Sequence, residues 1–256
     1  MSEDINIIDL TPENIASYGV CGYKDVDKHI ELRNKINWYK EYYGKGLRIK
    51  AVISQTGGYQ GMLEYIPGEY AFRPVKAQGY MFIHCIFVGF KNAYKGKGLA
   101  SSLINGCIAE AKALNMQGVA VTVRQGSFMA KKDIFIKLGF SVVDNAKPDF
   151  ELLVYKFDSE YENPAFINND LKKYKLGLYI IRSVQCPYTE KNVKEIIKTA
   201  QEKYGLKINL VEIITEKDAQ MCPSPFGSFC LIYNGKILSY TPISNTRFEN
   251  IMKSIK

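Results

Sequence analysis

The 256-residue sequence is long enough for two domains with separate cores, and its 46% hydrophobic content is typical of a folded protein. The formal net charge of +8 favours an anionic ligand, but the lysines are scattered and no basic run is interleaved with aromatic residues, so nucleic-acid binding is disfavoured. No apolar run approaches the ~20 residues that span a bilayer, and the N-terminus lacks a secretion signal, so we expect a cytoplasmic protein without membrane contact. Six cysteines in such a protein do not predict a disulfide framework.

The N-terminal part of the chain predicts a strand, two helices and a β-hairpin. Ile5–Leu10 alternates as a half-buried strand does, and Thr11 is predicted to be the N-cap of a first helix. A second helix is predicted over Val26–Tyr43. Strands are predicted over Leu47–Ser54 and Tyr59–Ile66, because a glycine-containing turn joins two suitable runs.

The stretch from Tyr80 to Leu103 has the most distinctive pattern. Met81–Phe90 is densely apolar, which predicts a central strand covered on both faces. The glycine-containing run Lys95–Ala100 follows and opens a helix that we expect to end near Asn115. Backbone N–H groups at such a helix start point outward and, with the helix dipole, form a site for phosphate oxygens. A glycine-softened turn flanked by solvated lysines is the alternative interpretation.

Further elements follow this helix and complete a first α/β domain. They are a strand over Val119–Val123, a helix over Phe128–Leu138, a strand that begins at Phe140 and a last strand over Phe150–Phe157.

Two segments resemble the GNAT acetyltransferases. Lys95, Gly98 and Ala100 fit the [Q/R]-x-x-G-x-[G/A] signature of that family, and Phe135–Phe140 resembles its later x-x-x-LGF segment. The resemblance implies the GNAT mixed β-sheet and acetyl transfer from acetyl-CoA to an amine. It further implies that the glycine loop holds the pyrophosphate and that the preceding strand splays away to pair with the pantetheine arm. The residues that the resemblance assigns to acetyl-CoA are Val88, Gly89 and Phe90 for the arm, and Lys95, Gly96, Lys97, Gly98, Leu99 and Ala100 for the phosphates.

The resemblance leaves the proton-transfer residues open. Many relatives carry a tyrosine acid where this chain has Phe135, which cannot donate a proton. At the strand position where many relatives carry a glutamate base, this chain has Thr122.

His84 is a substitute base, because it lies in the predicted central strand and a histidine's ordinary pKa of ~6.5 suits a base acting through water. We expect its side chain on the same side of the strand as Ile86, Val88 and Phe90. A satisfied core histidine is the alternative interpretation. Glu64 and Glu69 are rival bases, and positioning alone could also drive the transfer.

Residues 158–175 are polar and predict a linker between a first domain, 1–157, and a second domain, 176–256. The elements predicted in the second domain are a strand at Leu176–Ser183, a helix at Val193–Tyr204, strands at Lys207–Ile214, Phe229–Tyr233 and Ile237–Tyr240, and a closing helix from Asn245.

This order, with a Cys-Pro-Tyr-Thr segment at Cys186, resembles thioredoxin and glutaredoxin and implies a small βαβ-ββα domain. A cysteine at a helix N-terminus is favoured as thiolate by the helix dipole. Thr189 stands where those proteins have a second cysteine. The resemblance implies Cys222 as the candidate partner of Cys186, because the segment before the β-hairpin lies near the active cysteine in such folds. The two could form a disulfide, bind a soft metal or bind a substrate, and a degenerate domain used for packing or acceptor recognition is also open.

The combination of a GNAT domain with this second domain resembles the bacterial YoaP-type acetyltransferases. The resemblance implies an acetyl-CoA-dependent N-acetyltransferase but does not identify the acceptor. We expect the acceptor to be an amine on a small molecule or peptide, the second domain to aid acceptor recognition, and no metal site. The alternative function is a thiol-based redox or thiophilic-metal-binding protein that acts through Cys186 and Cys222, while the first domain binds CoA without turnover.

Overall fold

The computed structural model describes residues 5–56, 58–89 and 91–255, and the expected ligand contact Phe90 lies outside them. The chain forms two compact units. The first unit ends at Phe166, and the second continues from Ile167 and also includes the segment Phe72–Pro74. This division falls within the expected linker, and the domain limits at residues 157 and 176 stay predictions.

The first unit is a mixed α/β structure. Its elements are β1 (Ile5–Asp9), α1 (Ile15–Tyr18), α2 (Ile30–Tyr43), β2 (Arg48–Ser54), β3 (Gly58–Pro67), β4 (Val75–Lys76), β5 (Tyr80–Val88), α3 (Leu99–Ala113), β6 (Gly118–Val123), α4 (Asp133–Lys137), β7 (Ser141–Ala146), β8 (Phe150–Lys156) and β9 (Ala165–Phe166).

Seven of these strands form one sheet in the order β1-β2-β3-β5-β6-β8-β7. All neighbours are antiparallel except β5 and β6, which are parallel. Buried side chains of α3, among them Leu103 and Cys107, pack with Met81, Ile83 and Val121 into one core. Strand residues alternate between faces, so Phe82 lies on the opposite face of the sheet.

Two predicted helices differ from the structure. Helix α1 begins at Ile15, later than predicted, and the turn that leads into it is capped by Thr11. Its hydroxyl accepts hydrogen bonds from the N–H of Glu13 and Asn14, which closes a local turn. The helix predicted over 128–138 is reduced to the short α4. Its predicted first residue, Phe128, has a left-handed φ of 66° that a right-handed helix cannot contain.

Strands β5 and β6 are paired only at their beginnings. The paired residues run from Tyr80 opposite Gly118 to Ile83 opposite Val121. Beyond this point β5 continues to pair with β3, and β6 continues to pair with β8. The two strands therefore separate, and we call the gap between residues 84–88 of β5 and 122–123 of β6 the fork.

A β-bulge lies at the closed end of the fork. Cys85 is opposite Glu64 and Ile83 is opposite Tyr65, so His84 is the inserted residue of the register between β5 and β3. An inserted residue changes which side chains face each side of a strand.

The bulge places His84 on the face opposite the α3 core. Ile86 and Val88 pack against that core, whereas the His84 ring lies 6.0 Å from Phe82 and 6.3 Å from Trp38. The prediction that His84 shares a side with Ile86 and Val88 is wrong, because it assumed an uninterrupted alternation.

The second unit has a smaller sheet of its own. Its elements are β10 (Leu178–Arg182), α5 (Pro187–Tyr204), β11 (Ile208–Glu212), α6 (Glu216–Gln220), β12 (Phe229–Tyr233), β13 (Lys236–Ser239) and α7 (Asn245–Ser254).

The strand order is β11-β10-β12-β13, with β10 and β11 parallel and the other neighbours antiparallel. Helix α5 begins six residues before its predicted start at Val193, with Cys186 as its N-cap. Helix α6 was not predicted from the sequence, and Thr215 is its N-cap in a capping box. This topology is compatible with the expected thioredoxin-like arrangement, which stays a prediction.

Candidate functional site

The glycine loop between β5 and α3 is held in place by a buried tyrosine. Tyr94 lies in a short 3₁₀ helix, and its hydroxyl donates a 2.8 Å hydrogen bond to Ser54 Oγ at the end of β2. Gly89, Gly96 and Gly98 have φ values of 89°, 74° and 73°, which strain any residue except glycine. The backbone path of the loop therefore depends on these glycines.

The loop presents a row of unused backbone donors. Among the described residues, the N–H groups from Gly96 to Ser101 have no acceptor, and the first bonded group of the helix is Ser102 N–H, which donates to Gly98 O at 2.9 Å. The first turn of α3 has no acidic residue. A Cβ atom added at Gly96 or Gly98 would meet nothing within 4 Å, so a ligand can approach the loop closely. Donors of this kind at a helix N-terminus fit phosphate oxygens.

Two lysines of the loop add positive charge beside these donors. The Nζ of Lys95 lies 2.8 Å from Asn92 Oδ1, and that of Lys97 lies 5.4 Å from the centre of the Tyr94 ring. Leu99 and Ala100 form the start of α3 itself. All six loop residues predicted to hold phosphates thus lie in one continuous segment that leads into α3.

The fork provides a second binding feature. Beyond Ile83, no strand of the described part of the chain pairs with β5 on its β6 side. Val88 and Gly89 lie at the open end of this edge, and Gly89 N–H bonds back to Gln60 O at 2.8 Å. An unpaired strand edge can bind an extended ligand that carries amide groups. The edge and the glycine loop follow each other directly along the chain.

A buried charged cluster lies at the closed end of the fork. Lys35 of α2 donates a hydrogen bond to Glu64 Oε2, and His84 Nδ1 lies 3.3 Å from Glu64 Oε1. The side chains of all three residues are at most 1% exposed. The Lys35 ammonium also lies 4.2 Å from the centre of the Trp38 ring. Glu64 therefore holds one nitrogen of the imidazole in a fixed orientation.

Glu64 is a poor general base in this setting. Burial alone would raise the pKa of its carboxyl group, but the charge of Lys35 and the hydrogen bond from His84 lower that pKa to about 2. A carboxylate of such low basicity does not take a proton near neutral pH. The rival candidate Glu69 is exposed on the 3₁₀ helix Gly68–Tyr70.

Phe135 and Thr122 occupy the two positions where the resemblance implies an acid and a base. Phe135 is fully buried in the α3 core, with its ring 5.3 Å from that of Phe140. Thr122 is 5% exposed, and its Oγ1 has no hydrogen-bond partner among the described residues. Neither side chain can act as a proton-transferring acid or base near neutral pH.

The two cysteines of interest differ in accessibility. Cys186 is half-buried at the start of α5, whereas Cys222 is fully buried. Burial raises the pKa of the Cys222 thiol to about 12, although the Ser224 N–H and the Arg73 charge act in the opposite direction. Cys222 is therefore a neutral thiol at physiological pH. The described residues contain no group of three or more His, Cys, Asp or Glu side chains that could hold a metal ion.

Lys35 and Arg73 were not predicted from the sequence. Lys35 follows Leu32 by three residues and precedes Ile36 on the buried stripe of α2, so its position in an apolar pattern was a usable signal. Arg73 is buried in the second unit, where its Nη1 donates to Gln185 Oε1 at 3.0 Å. Nothing in the local sequence indicates that contact.

The sequence is similar both to a protein-family model and to one known protein. Residues 207–250 match the family described as YoaP-like. The chain is 25% identical over 254 residues to the uncharacterized N-acetyltransferase YoaP of Bacillus subtilis, and the match covers 97% of this chain and 98% of that protein.

Solved structures also resemble parts of the chain. An acetyltransferase of the GNAT family from Staphylococcus aureus is 15% identical, with 60% of this chain and 100% of that chain covered and a TM-score of 0.42. A GNAT family acetyltransferase from Brucella melitensis in complex with acetyl-CoA is 13% identical, with 64% of this chain and 96% of that chain covered and a TM-score of 0.37.

No helix of the described residues is long and apolar enough to cross a membrane.

Proposed function

We propose that this YoaP-like acyltransferase transfers the acetyl group of acetyl-CoA to an amine of a small molecule or peptide. The YoaP-like match and the similarity to YoaP along nearly the whole chain support the enzyme class. The observation that carries the proposal is the continuity of the fork edge with the row of unused N–H donors at Gly96–Ser101. Acetyl-CoA has an amide-containing arm and a pyrophosphate in the same order.

Each part of the ligand has a matching part of the protein. The pyrophosphate fits the loop N–H groups and the helix dipole of α3, with Lys95 and Lys97 adding charge. The amides of the arm fit the unpaired edge of β5 near Val88 and Gly89. An arm that runs from the loop back along β5 brings the thioester toward the closed end of the fork.

Acetyl transfer forms a carbon–nitrogen bond, breaks the carbon–sulfur bond and requires one proton to leave the amine. His84 is our candidate for accepting that proton, because it lies at the closed end of the fork and a histidine can exchange protons near neutral pH. Glu64 and Lys35 act as positioning residues, since the ionised carboxylate fixes His84 Nδ1.

The second unit is proposed to contribute to acceptor selection rather than to thiol chemistry. A thiol or metal mechanism through Cys186 and Cys222 would require both to form thiolates. The raised pKa of the buried Cys222 opposes this.

The proposal is tested by calorimetric titration of the full chain with acetyl-CoA. Gly98→Asp places a carboxylate at the predicted pyrophosphate position. Gly205→Asp is a matched control, since Gly205 caps α5 with a φ of 62°, close to the 73° of Gly98, and a Cβ at either position meets nothing within 4 Å.

We expect the wild type and Gly205→Asp to bind acetyl-CoA alike and Gly98→Asp to lose most of its affinity. A wild type that does not bind, or a Gly98→Asp variant that binds as tightly as the control, contradicts the proposal. A screen of amines that follows the released CoA thiol then identifies the acceptor.

A further inference from the structure

The hydroxyl group of Thr122 is a buried polar group that the fold does not use. Its side chain is 5% exposed, and Oγ1 has no partner among the described residues. Leaving a buried hydroxyl unpaired costs free energy, so an orphaned group of this kind calls for an explanation such as a ligand.

Thr122 lies at the closed end of the fork. The last paired residues are Ile83 of β5 and Val121 of β6, so Thr122 is the first residue of β6 beyond the pairing. Both Val121 and Val123 belong to the α3 core, and alternation therefore directs Thr122 to the opposite face. His84 is the corresponding first residue of β5 and lies on that same face.

We propose that Thr122 Oγ donates a hydrogen bond to the carbonyl oxygen of the acetyl thioester. The proposal rests on the proposed function, which brings the thioester to this end of the fork. A threonine hydroxyl can donate a hydrogen bond to an oxygen, whereas an ionised glutamate at the same position could only accept a hydrogen bond. Attack by the amine places negative charge on the carbonyl oxygen, and a donor already in position stabilises that charge.

The test compares acetyl-CoA with CoA, because only acetyl-CoA has the thioester carbonyl oxygen to which Thr122 is proposed to donate. Thr122→Val keeps the shape of the side chain and removes the hydroxyl, and Thr122→Ser keeps the hydroxyl. Thr189→Val is the matched control, since Thr189 of the second unit is 1% exposed and its Oγ1 also has no partner among the described residues. Each full-length protein is titrated with both ligands.

We expect Thr122→Val to reduce the preference for acetyl-CoA over CoA by about 2- to 12-fold, the range of one ordinary hydrogen bond. Its affinity for CoA should not change. Thr122→Ser and Thr189→Val should keep the wild-type preference.

A second measurement uses the wild-type protein, so it does not depend on whether a variant folds. The infrared carbonyl stretch of acetyl-CoA labelled with carbon-13 at the acetyl carbonyl should fall in frequency when the ligand binds to the wild-type protein. An unshifted stretch, or a Thr122→Val variant with the wild-type preference, overturns the role of Thr122 while acetyl-CoA binding still stands. A wild type that does not bind acetyl-CoA overturns the proposed function as well.

Discussion

Glu64 Oε1 lies 3.3 Å from His84 Nδ1 in a cluster from which solvent is excluded. The other carboxylate oxygen, Oε2, accepts a hydrogen bond from Lys35, and all three side chains are at most 1% exposed. Taking charges out of water is costly unless each has a partner. The cluster therefore connects α2 to β3 and β5 through interactions that depend on each other.

Removing one charge of the cluster should destabilise the first unit strongly. Glu64→Gln leaves the Lys35 ammonium buried without its counter-charge, which we expect to cost about 3–5 kcal/mol. Replacing both, as Lys35→Met with Glu64→Gln, should recover a large part of that loss. Trp38 is the single tryptophan of the chain and lies beside Lys35, so its fluorescence during urea unfolding reports on this unit.

The control is a salt bridge on the surface. Lys28 and Asp25 are 2.9 Å apart and largely exposed, so Lys28→Met should change stability by less than about 1 kcal/mol. Equal effects of Glu64→Gln and Lys28→Met would contradict the interpretation of the buried cluster.

The same carboxylate should make stability depend on acid pH. The pKa of Glu64 is lowered in the folded state to about 2 from an ordinary value of 4.5. A lowered folded-state pKa contributes stability that is fully present above pH 4.5 and is lost as the pH falls toward 2, and the shift corresponds to about 3 kcal/mol. Between these limits the free energy of unfolding of the wild type should fall more steeply than that of Glu64→Gln. Parallel curves from urea unfolding at several pH values would contradict this.

The order of strands and helices could be predicted from the sequence, because apolar periodicity and glycine position act locally. The glycine run and the strand before it have the predicted relationship in the structure. The separation of β5 from β6 followed only from the family resemblance, since strand pairing involves residues that are distant along the chain.

Other features depend on contacts that no local pattern records. The side on which His84 lies depends on a bulge in the register between β3 and β5. Phe128, the predicted first residue of the helix over 128–138, has a left-handed φ, a conformation that a phenylalanine rarely adopts. Lys35, the charged partner of Glu64, is different: its position on the buried stripe of α2 was a usable signal, but a lysine is ordinarily solvated.

Cys186 and Cys222 should differ in their rates of alkylation. Cys186 is half-buried, whereas Cys222 is buried and the pKa of its thiol is raised to about 12. Iodoacetamide at pH 8 should label Cys186 of the folded protein and leave Cys222 unmodified until urea unfolds the chain, because the reagent attacks thiolates. Peptide mapping by mass spectrometry measures both sites.

A matched activity measurement separates thiol chemistry from acetyl transfer. In the presence of acetyl-CoA and an acceptor amine, the Cys186→Ser variant should release the CoA thiol at the same rate as the wild type. Rapid labelling of Cys222, or loss of acetyl transfer in Cys186→Ser, would favour the thiol-based alternative.

Substitution of His84 should slow proton removal without affecting acetyl-CoA binding. The amide of His84→Gln can still donate a hydrogen bond to Glu64 but cannot accept a proton from an amine. We expect kcat to fall by about 10²- to 10⁴-fold. The loss should shrink as the pH rises toward ~10.4, the ordinary pKa of an alkylamine such as lysine, because solvent then deprotonates the acceptor. His29→Gln replaces the other histidine of the chain and serves as the control. A His84→Gln variant with the kcat and pH profile of this control would make His84 a structural residue and leave positioning alone to drive the transfer.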